Sequence, residues 1–354
     1  MGEKTLMKGN EAVGEAAIKA GCRYFFGYPI TPQNDIPAYM ARRLPQVDGV
    51  FLQAESEVAA SNMVYGAAGS GARVLTSSSS PGISLKAEGI SYIAGAELPA
   101  VIVNMMRGGP GLGGIQPSQA DYFQATKGMA HGDFRLTVLA PSSVQELADL
   151  TMEAFEIADR YRNPVMVVGD GMIGQMMEPV EFKDEVDPEQ LPEKEWATDG
   201  ARGRERNVIN SLALDPQNLE DHNWKMEEKY QKMRENEVRY ETYNMDDADI
   251  AIVAYGTTAR IAISAMEQSR EEGYKVGLIR PITLFPFPTE VIKDAADQVD
   301  SFLAVEMSTG QMVEDVRLAV EGQKPVNFYG RTGGMIPSPK EICNEVEKHL
   351  GGDK

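Results

Sequence analysis

The chain has only two cysteines in 354 residues, Cys22 and Cys343, near its opposite ends. Two thiols cannot hold an iron–sulfur cluster or a structural zinc site, and a reducing compartment argues against joining them as a disulfide. Histidine is equally scarce: His131, His222 and His349 show neither HxxxH nor HExxH spacing. No metal ligand is assigned, and any metal or redox centre is expected to come largely from another chain. Positive charge is the next deficit. Against 53 acidic residues stand 34 basic ones, a formal charge of −19, and so acidic a chain repels phosphate backbones. No nucleic-acid partner is expected. No apolar run approaches the roughly 20 residues a membrane helix needs, and mean hydropathy is −0.31. The N-terminus lacks a signal-peptide layout. Met1-Gly2 resembles a myristoylation start, but Leu6 stands where Ser or Thr is required. No membrane partner is expected, and the reading is cytoplasmic.

What is present is a globular mix, 42% apolar and 25% charged, long enough for two or three domains. Short apolar runs alternate with helical stretches from Tyr24-Phe25-Phe26-Gly27-Tyr28 through Val50–Gln53, Arg73–Thr76, Ala100–Val103 and Leu136–Leu139 to Pro164–Val168. That alternation is the mark of a parallel sheet covered on both faces. It predicts a doubly wound parallel-sheet α/β domain over residues 1–177. Ser143-Val144-Gln145-Glu146 announces a helix by a capping box. Between Glu178 and Asp247 there are 20 acidic and 10 basic residues, but also both tryptophans, Trp196 and Trp224, with Tyr230, Tyr240 and Tyr243. Residues 178–245 are read as an ordered acidic arm whose solvated helix packs over its neighbours. A smaller α/β domain is expected over 246–354, with helix starts at Ser308-Thr309-Gly310-Gln311 and Ser338-Pro339-Lys340-Glu341.

Gly109-Gly111-Gly114 and Gly169-Gly171-Gly174 match a dinucleotide fingerprint, but neither runs into a clean helix. Gly169-Asp170-Gly171 begins like a metal–diphosphate motif, yet no Asn pair follows at the needed distance. Three strand ends combine better. Tyr28-Pro29-Ile30-Thr31-Pro32 has the grammar of a hydroxyl cap followed by a first-turn proline, where an anion could sit. In Ala54-Glu55-Ser56-Glu57-Val58, Glu57 opens an alanine-rich helix and is expected to be the more buried acid. There a poorly solvated carboxyl can share a proton with a heterocycle. Arg107, ahead of Gly108-Gly109-Pro110-Gly111, offers a guanidinium fork for a small carboxylate. Each also has a plain structural reading: a capped helix, dipole-favoured acids and a surface arginine. Ser77-Ser78-Ser79-Ser80-Pro81-Gly82 is a fourth strand-end loop.

Taken in order, Tyr28–Pro32, Ser56–Ala60, Ser78–Gly82 and Met106–Pro110 resemble the α chain of 2-oxoacid:ferredoxin oxidoreductases, nearest the branched-chain (2-oxoisovalerate) type. The resemblance extends to Arg280-Pro281-Ile282-Thr283 and Tyr329–Gly334. It implies a thiamine diphosphate pyrimidine-binding domain followed by a transketolase C-terminal-like domain. It also implies that Glu57 bonds the pyrimidine N1′ and so activates the cofactor, and that Thr31 and Arg107 bind the 2-oxoacid. Tyr28, Pro29, Ile30, Ser80 and Pro81 would line the cofactor. The diphosphate and Mg2+ would sit on a β subunit, and the [4Fe-4S] clusters on a ferredoxin-like subunit beside a γ subunit. Ferredoxin would take the electrons and coenzyme A the acyl group. Three alternatives stay open: a 2-oxoglutarate-specific α chain, the β subunit of a lipoamide-linked 2-oxoacid dehydrogenase, and a non-catalytic assembly subunit.

Overall fold

Residues 4–350 are described by the structure, a computed structural model, so the Met1-Gly2 reading lies outside the described residues. After β1 (Thr5–Lys8) and α1 (Gly9–Lys19), strand and helix alternate. They run β2 (Tyr24–Gly27), α2 (Asp35–Arg43), β3 (Val50–Gln53), α3 (Glu57–Gly69), β4 (Val74–Ser78), α4 (Ser80–Gly95) and β5 (Ala100–Met106). The series continues with α5 (Tyr122–Thr126), β6 (Thr137–Leu139), α6 (Val144–Tyr161), β7 (Pro164–Asp170) and α7 (Gly171–Gln175). The order β6-β7-β5-β4-β2-β3 is parallel throughout. Strands β4, β5 and β7 are buried along their whole length, which is why they read as unbroken apolar runs. From β2 the chain steps one way to β3 and then the other way to β4. The strand order therefore reverses between β2 and β4, and open α/β sheets bind ligands beyond the carboxyl ends at such a reversal.

Strand β8 (Met177–Val180) returns antiparallel to β1. The acidic stretch then leads to α8 (Pro216–Asn236), with Asp215 capping its first turn. On this helix Met226, Tyr230 and Met233 are buried in one cluster with Tyr122 and Met166 of the first sheet's layer and Phe302 of the second. Trp196 lies under the Arg162 guanidinium, 4.5 Å from its ring centre. Tyr243 is partly buried against the second sheet's core, whereas Trp224 is 65% exposed and Tyr240 45% exposed.

Strand β9 (Tyr240–Tyr243) begins the second sheet. It is followed by β10 (Ile250–Val253), α9 (Gly256–Glu271), β11 (Val276–Pro281), β12 (Thr283–Phe285), α10 (Thr289–Ala296) and β13 (Ser301–Glu306). The chain ends with α11 (Met312–Val320), β14 (Val326–Gly330) and α12 (Pro339–Leu350). The second sheet runs β14-β13-β10-β11-β9, with β9 antiparallel. The expected architecture, a doubly wound sheet followed by a smaller α/β unit, is the one observed. Two strands differ from the sequence reading. Strand β9 lies in the stretch read as arm. Residues 283–285, not read as a strand, form β12, which leaves the second sheet to pair antiparallel with β6 at the edge of the first. Pro286 follows Phe285, and without an N–H it cannot extend that ladder.

Helix starts show where local grammar holds. Ser338 and Glu341 bond reciprocally as a capping box. At α6, Ser143 Oγ accepts from Glu146 N–H, and the Glu146 carboxylate accepts from Ser142 N–H, one residue earlier than expected. The box expected at Ser308–Gln311 does not form. The fully buried Glu306 carboxylate accepts the N–H groups of Gln311, Met312 and Val313 and the Ser308 hydroxyl, so a side chain from the preceding strand caps α11. Replacing Glu306 by Ala orphans three backbone donors. The expected cost is about 2–3 kcal/mol, read as a lowered denaturant midpoint in equilibrium unfolding.

Candidate active site

The carboxyl end of β4 runs through Ser79 into α4, and its inner neighbour β5 ends at Met106, one residue before Arg107. Opposite them the end of β2 carries Tyr28–Pro32. The reversal point of the sheet thus brings together the loops singled out in the sequence.

Ser56 N-caps α3, its Oγ accepting from Ala59 N–H at 3.1 Å, which fixes Glu57 in the first helical turn. Glu57 is 6% exposed, and Glu55, two residues earlier, is on the surface. Helix α4 crosses α3 at two glycines. A Cβ on Gly82 would lie 2.8 Å from Glu57 Oε1, and one on Gly89 would lie 2.5 Å from Ser61 Cβ. No described residue hydrogen-bonds the Glu57 carboxylate; the buried Ser78 hydroxyl, which crowds the same Gly82, has no partner, nor has the buried hydroxyl of Ser79.

Arg107, 8% exposed, is no surface arginine. Its Nη1 donates to Thr31 O at 3.0 Å and its Nη2 to Leu112 O at 3.2 Å. Its Nε is buried without a partner. Two of the guanidinium's five N–H donors are thus tied to backbone, and Nε–H is free for a ligand. Ser80 secures the same corner: its Oγ accepts from Arg107 N–H at 3.0 Å and donates to Asp121 Oδ2 at 2.6 Å. Asn104 donates to that Asp121 oxygen and accepts from Ser80 N–H. Burial pushes the Asp121 carboxyl up from its ordinary value, against the pull of the Ser80 and Asn104 hydrogen bonds.

The expected helix start at Thr31-Pro32 is not there. The Thr31–Pro32 peptide is cis, and α2 begins at Asp35. Tertiary hydrogen bonds hold these residues as a turn: Asn10 Nδ2 donates to Pro32 O, and the buried Gln33 donates to Tyr28 O and accepts from Ser77 Oγ at 2.6 Å. No helix N-terminus faces a ligand there, and Asp35 occupies the first turn of α2. Thr31 lines an open cleft of about 610 Å3 with Pro32, Gln116, Pro117, Met172 and Ile336. Thr31, Arg107 and Ser80 are directly linked; Glu57 reaches the same place across Gly82. Tyr28, Pro29 and Ile30 are the strand-to-turn segment, and Pro81 lies in the first turn of α4 beside Ser80.

Asp170, which opens the diphosphate-like motif, accepts from Met172 and Ile173 N–H and so caps the five-residue α7. The motif's glycines serve close packing: a Cβ on Gly174 would lie 2.7 Å from Asn10 Oδ1.

One residue escaped the sequence reading. Lys86, fully buried on α4, donates from Nζ to Thr76 Oγ1 and to Ser77 O. Its signal was available: it stands at i+4 from Gly82, on the stripe of α4 that also carries Gly89, Ile90 and Ile93.

Comparison with known proteins identifies the family. Residues 15–245 match the model of the pyruvate flavodoxin/ferredoxin oxidoreductase thiamine diphosphate-binding domain. The chain belongs to that oxidoreductase family. Residues 248–342 match core domain II of pyruvate:ferredoxin oxidoreductase. The ketoisovalerate oxidoreductase subunit VorB of Methanothermobacter thermautotrophicus is 54% identical over 98% of both chains. The 2-oxoglutarate synthase subunit KorA of the same organism is 37% identical, over 98% of this chain and 99% of the relative. A solved 2-oxoglutarate:ferredoxin oxidoreductase from Magnetococcus marinus superposes with a TM-score of 0.85 at 25% identity, covering 98% of this chain and 65% of that one. A split-gene transketolase, at TM-score 0.61 and 15% identity, shares the fold. The chain is thus an α-type subunit of a 2-oxoacid:ferredoxin oxidoreductase, as its motifs led one to expect, and no helix among its described residues is long and apolar enough to cross a membrane.

In this oxidoreductase subunit the α3–α4 crossing tolerates no added carbon. Gly82→Ala would press on both Glu57 and Ser78. An overpacking cost of about 1–3 kcal/mol is expected in thermal or denaturant unfolding of the isolated chain.

Proposed function

We propose that this subunit supplies the pyrimidine side of a shared thiamine diphosphate site and the clamp for a branched-chain 2-oxoacid. The enzyme would convert 2-oxoisovalerate and coenzyme A to acyl-CoA and CO2 while reducing ferredoxin. One observation carries the reading: a largely buried carboxylate, Glu57, with no hydrogen bond from a described residue, near the sheet's reversal point, where a neighbouring loop holds the buried and partly unpartnered Arg107.

The residues fit one end of the cofactor. An unbonded buried carboxylate suits a ring N–H, since a buried polar group left without a partner is costly. The diphosphate end is not served by Asp170, which is engaged as a helix cap. We therefore assign the diphosphate and its Mg2+ to a partner β subunit and the [4Fe-4S] clusters to a ferredoxin-like subunit, with a γ subunit completing the assembly. When bound, thiamine diphosphate supplies a nucleophilic carbon and an electron sink for decarboxylation.

Glu57 holds a proton at the pyrimidine N1′, and its dry setting keeps bulk water from competing for that proton. Tyr28, Pro29, Ile30, Ser80 and Pro81 shape the surrounding wall. Arg107 presents Nε–H and an adjacent Nη hydrogen to the substrate carboxylate, while the Thr31 and Leu112 carbonyls fix the plane of its fork. The Thr31 hydroxyl, at the cleft, contacts the 2-oxoacid. The branched-chain assignment is favoured by the higher identity to a ketoisovalerate oxidoreductase subunit, 54% against 37% for a 2-oxoglutarate synthase subunit.

In the reconstituted complex, Glu57→Gln should lower turnover by at least about 10²–10⁴-fold with subunit assembly intact; near-normal turnover would point to a non-catalytic role. Viologen reduction with coenzyme A should be most efficient, in kcat/KM, with 2-oxoisovalerate rather than with pyruvate or 2-oxoglutarate. A preference for 2-oxoglutarate would overturn the substrate assignment alone. Arg107→Met should act mainly through KM, raising it for the 2-oxoacid by roughly tenfold or more, as expected for loss of a charge-assisted bond.

A further inference from the structure

Lys86 is a fully buried lysine on a helix whose other inward positions are small or apolar. It sits one helical turn beyond Gly82, the glycine that Glu57 Oε1 packs against, and one turn before Gly89, which Ser61 packs against. Because Glu57 and Ser61 are themselves one turn apart on α3, Lys86 is enclosed beneath the crossing of the two helices. From β4 it meets only uncharged acceptors, Thr76 Oγ1 and Ser77 O. From α3 it feels Glu57, and no other ionisable group among the described residues acts on it. Thr76 Oγ1 in turn donates to Phe26 O on β2, so the ammonium is anchored to the sheet. A buried ammonium without a counter-charge is expensive. The one opposite charge available is the carboxylate assigned above to the cofactor ring.

We propose that Lys86 is a positioning residue for Glu57: its ammonium favours the ionised carboxylate and so biases the proton shared with the pyrimidine toward ring N1′. The inference rests on the assignment of Glu57 to the cofactor. It adds that the acid does not act alone but in the field of a buried ammonium that does not touch it, held on Thr76 and Ser77 beneath the α3–α4 crossing. Burial lowers the Lys86 ammonium to about 7, with Glu57 pulling it back up. The field on Glu57 is therefore present below neutral pH and fades as Lys86 loses its proton above it. Lys86 touches neither cofactor nor substrate in this scheme, and its effect passes wholly through Glu57.

Two measurements test the pair. First, the chain labelled with 13Cε-lysine is titrated by NMR, in wild type and in Glu57→Gln. The lysine signal lost in Lys86→Met should titrate near neutral pH in the wild type and at lower pH in Glu57→Gln, because the carboxylate that favours the ammonium is gone, while Lys229, which burial lowers to about 8, should not move. An unchanged titration, or no lysine titrating near neutrality, overturns the proposal without reference to activity. Second, exchange of the C2 proton of thiamine diphosphate with D2O is followed in the reconstituted complex for wild type, Lys86→Met, Lys86→Gln and Glu57→Gln. Lys86→Gln keeps a hydrogen-bond donor to Thr76 and Ser77 and stands in if the methionine variant does not assemble. The ratio of wild-type to Lys86-variant exchange should be well above one near pH 6 and should fall toward one by pH 8, as Lys86 loses its proton. A merely structural lysine would give a ratio independent of pH, which overturns the proposal. If Glu57→Gln itself exchanges like wild type, the assignment of Glu57 to the ring fails instead.

Discussion

A carboxylate stays dry between two helices only if the helices come close enough to exclude water. Here that distance is set by the missing side chains at Gly82 and Gly89, against which Glu57 and Ser61 pack. The other site features follow from the same contact. Close approach of α4 to α3 buries Lys86, whose charge needs an answer. It also leaves Glu57 without an internal hydrogen bond, the condition under which a carboxylate can bind an incoming ring. Ser80, at the start of the same helix, passes the geometry on to Arg107.

The second α/β unit takes part in this arrangement through Ile336, which lines the cleft, and through its hold on one loop of the first. Gln119 accepts from Thr258 Oγ1 and Met307 N–H and donates to Tyr255 O, all in the second unit. Two residues on, Asp121 accepts from Ser80 and Asn104 in the first. The loop that positions the arginine corner is therefore held from both sides, and most of its polar groups are satisfied. Buried polar networks of this kind specify one arrangement rather than adding much net stability.

Most of the fold was legible because the central strands are covered on both faces and so spell continuous apolar runs, with real caps at Ser143 and Ser338. The acidic stretch was harder. Its helix is held by Met226, Tyr230 and Met233, three residues among many charges, whereas Trp224, one of the aromatics that suggested an ordered arm, faces solvent. Strand β12 was hidden because three residues carry no periodicity and its partner β6 lies far away in the chain. In the site, Glu57 and Arg107 could be found as charged residues at strand ends followed by small residues. The cap at Thr31 was misread because the hydrogen bonds that shape the turn come from Asn10 and Ser77, distant in sequence. Glu306 was missed for a similar reason: a helix cap supplied by the preceding strand has no short-range signature. Lys86 had a signal, but a lysine among apolar neighbours is easily taken for a solvated one.

Strand β12 bears on how this protein can be divided. The outer edge of β6 is closed by residues that belong, by chain order, to the second sheet, and α8 lies in a single apolar cluster with both layers. Severing the polypeptide between residues 245 and 248, where the two family matches meet, would strip one fragment of its edge protection and the other of the ribbon it projects. The halves share one apolar cluster and one sheet edge, so fragment-based expression or domain exchange with a relative would need to carry Thr283–Phe285 along with the amino-terminal piece.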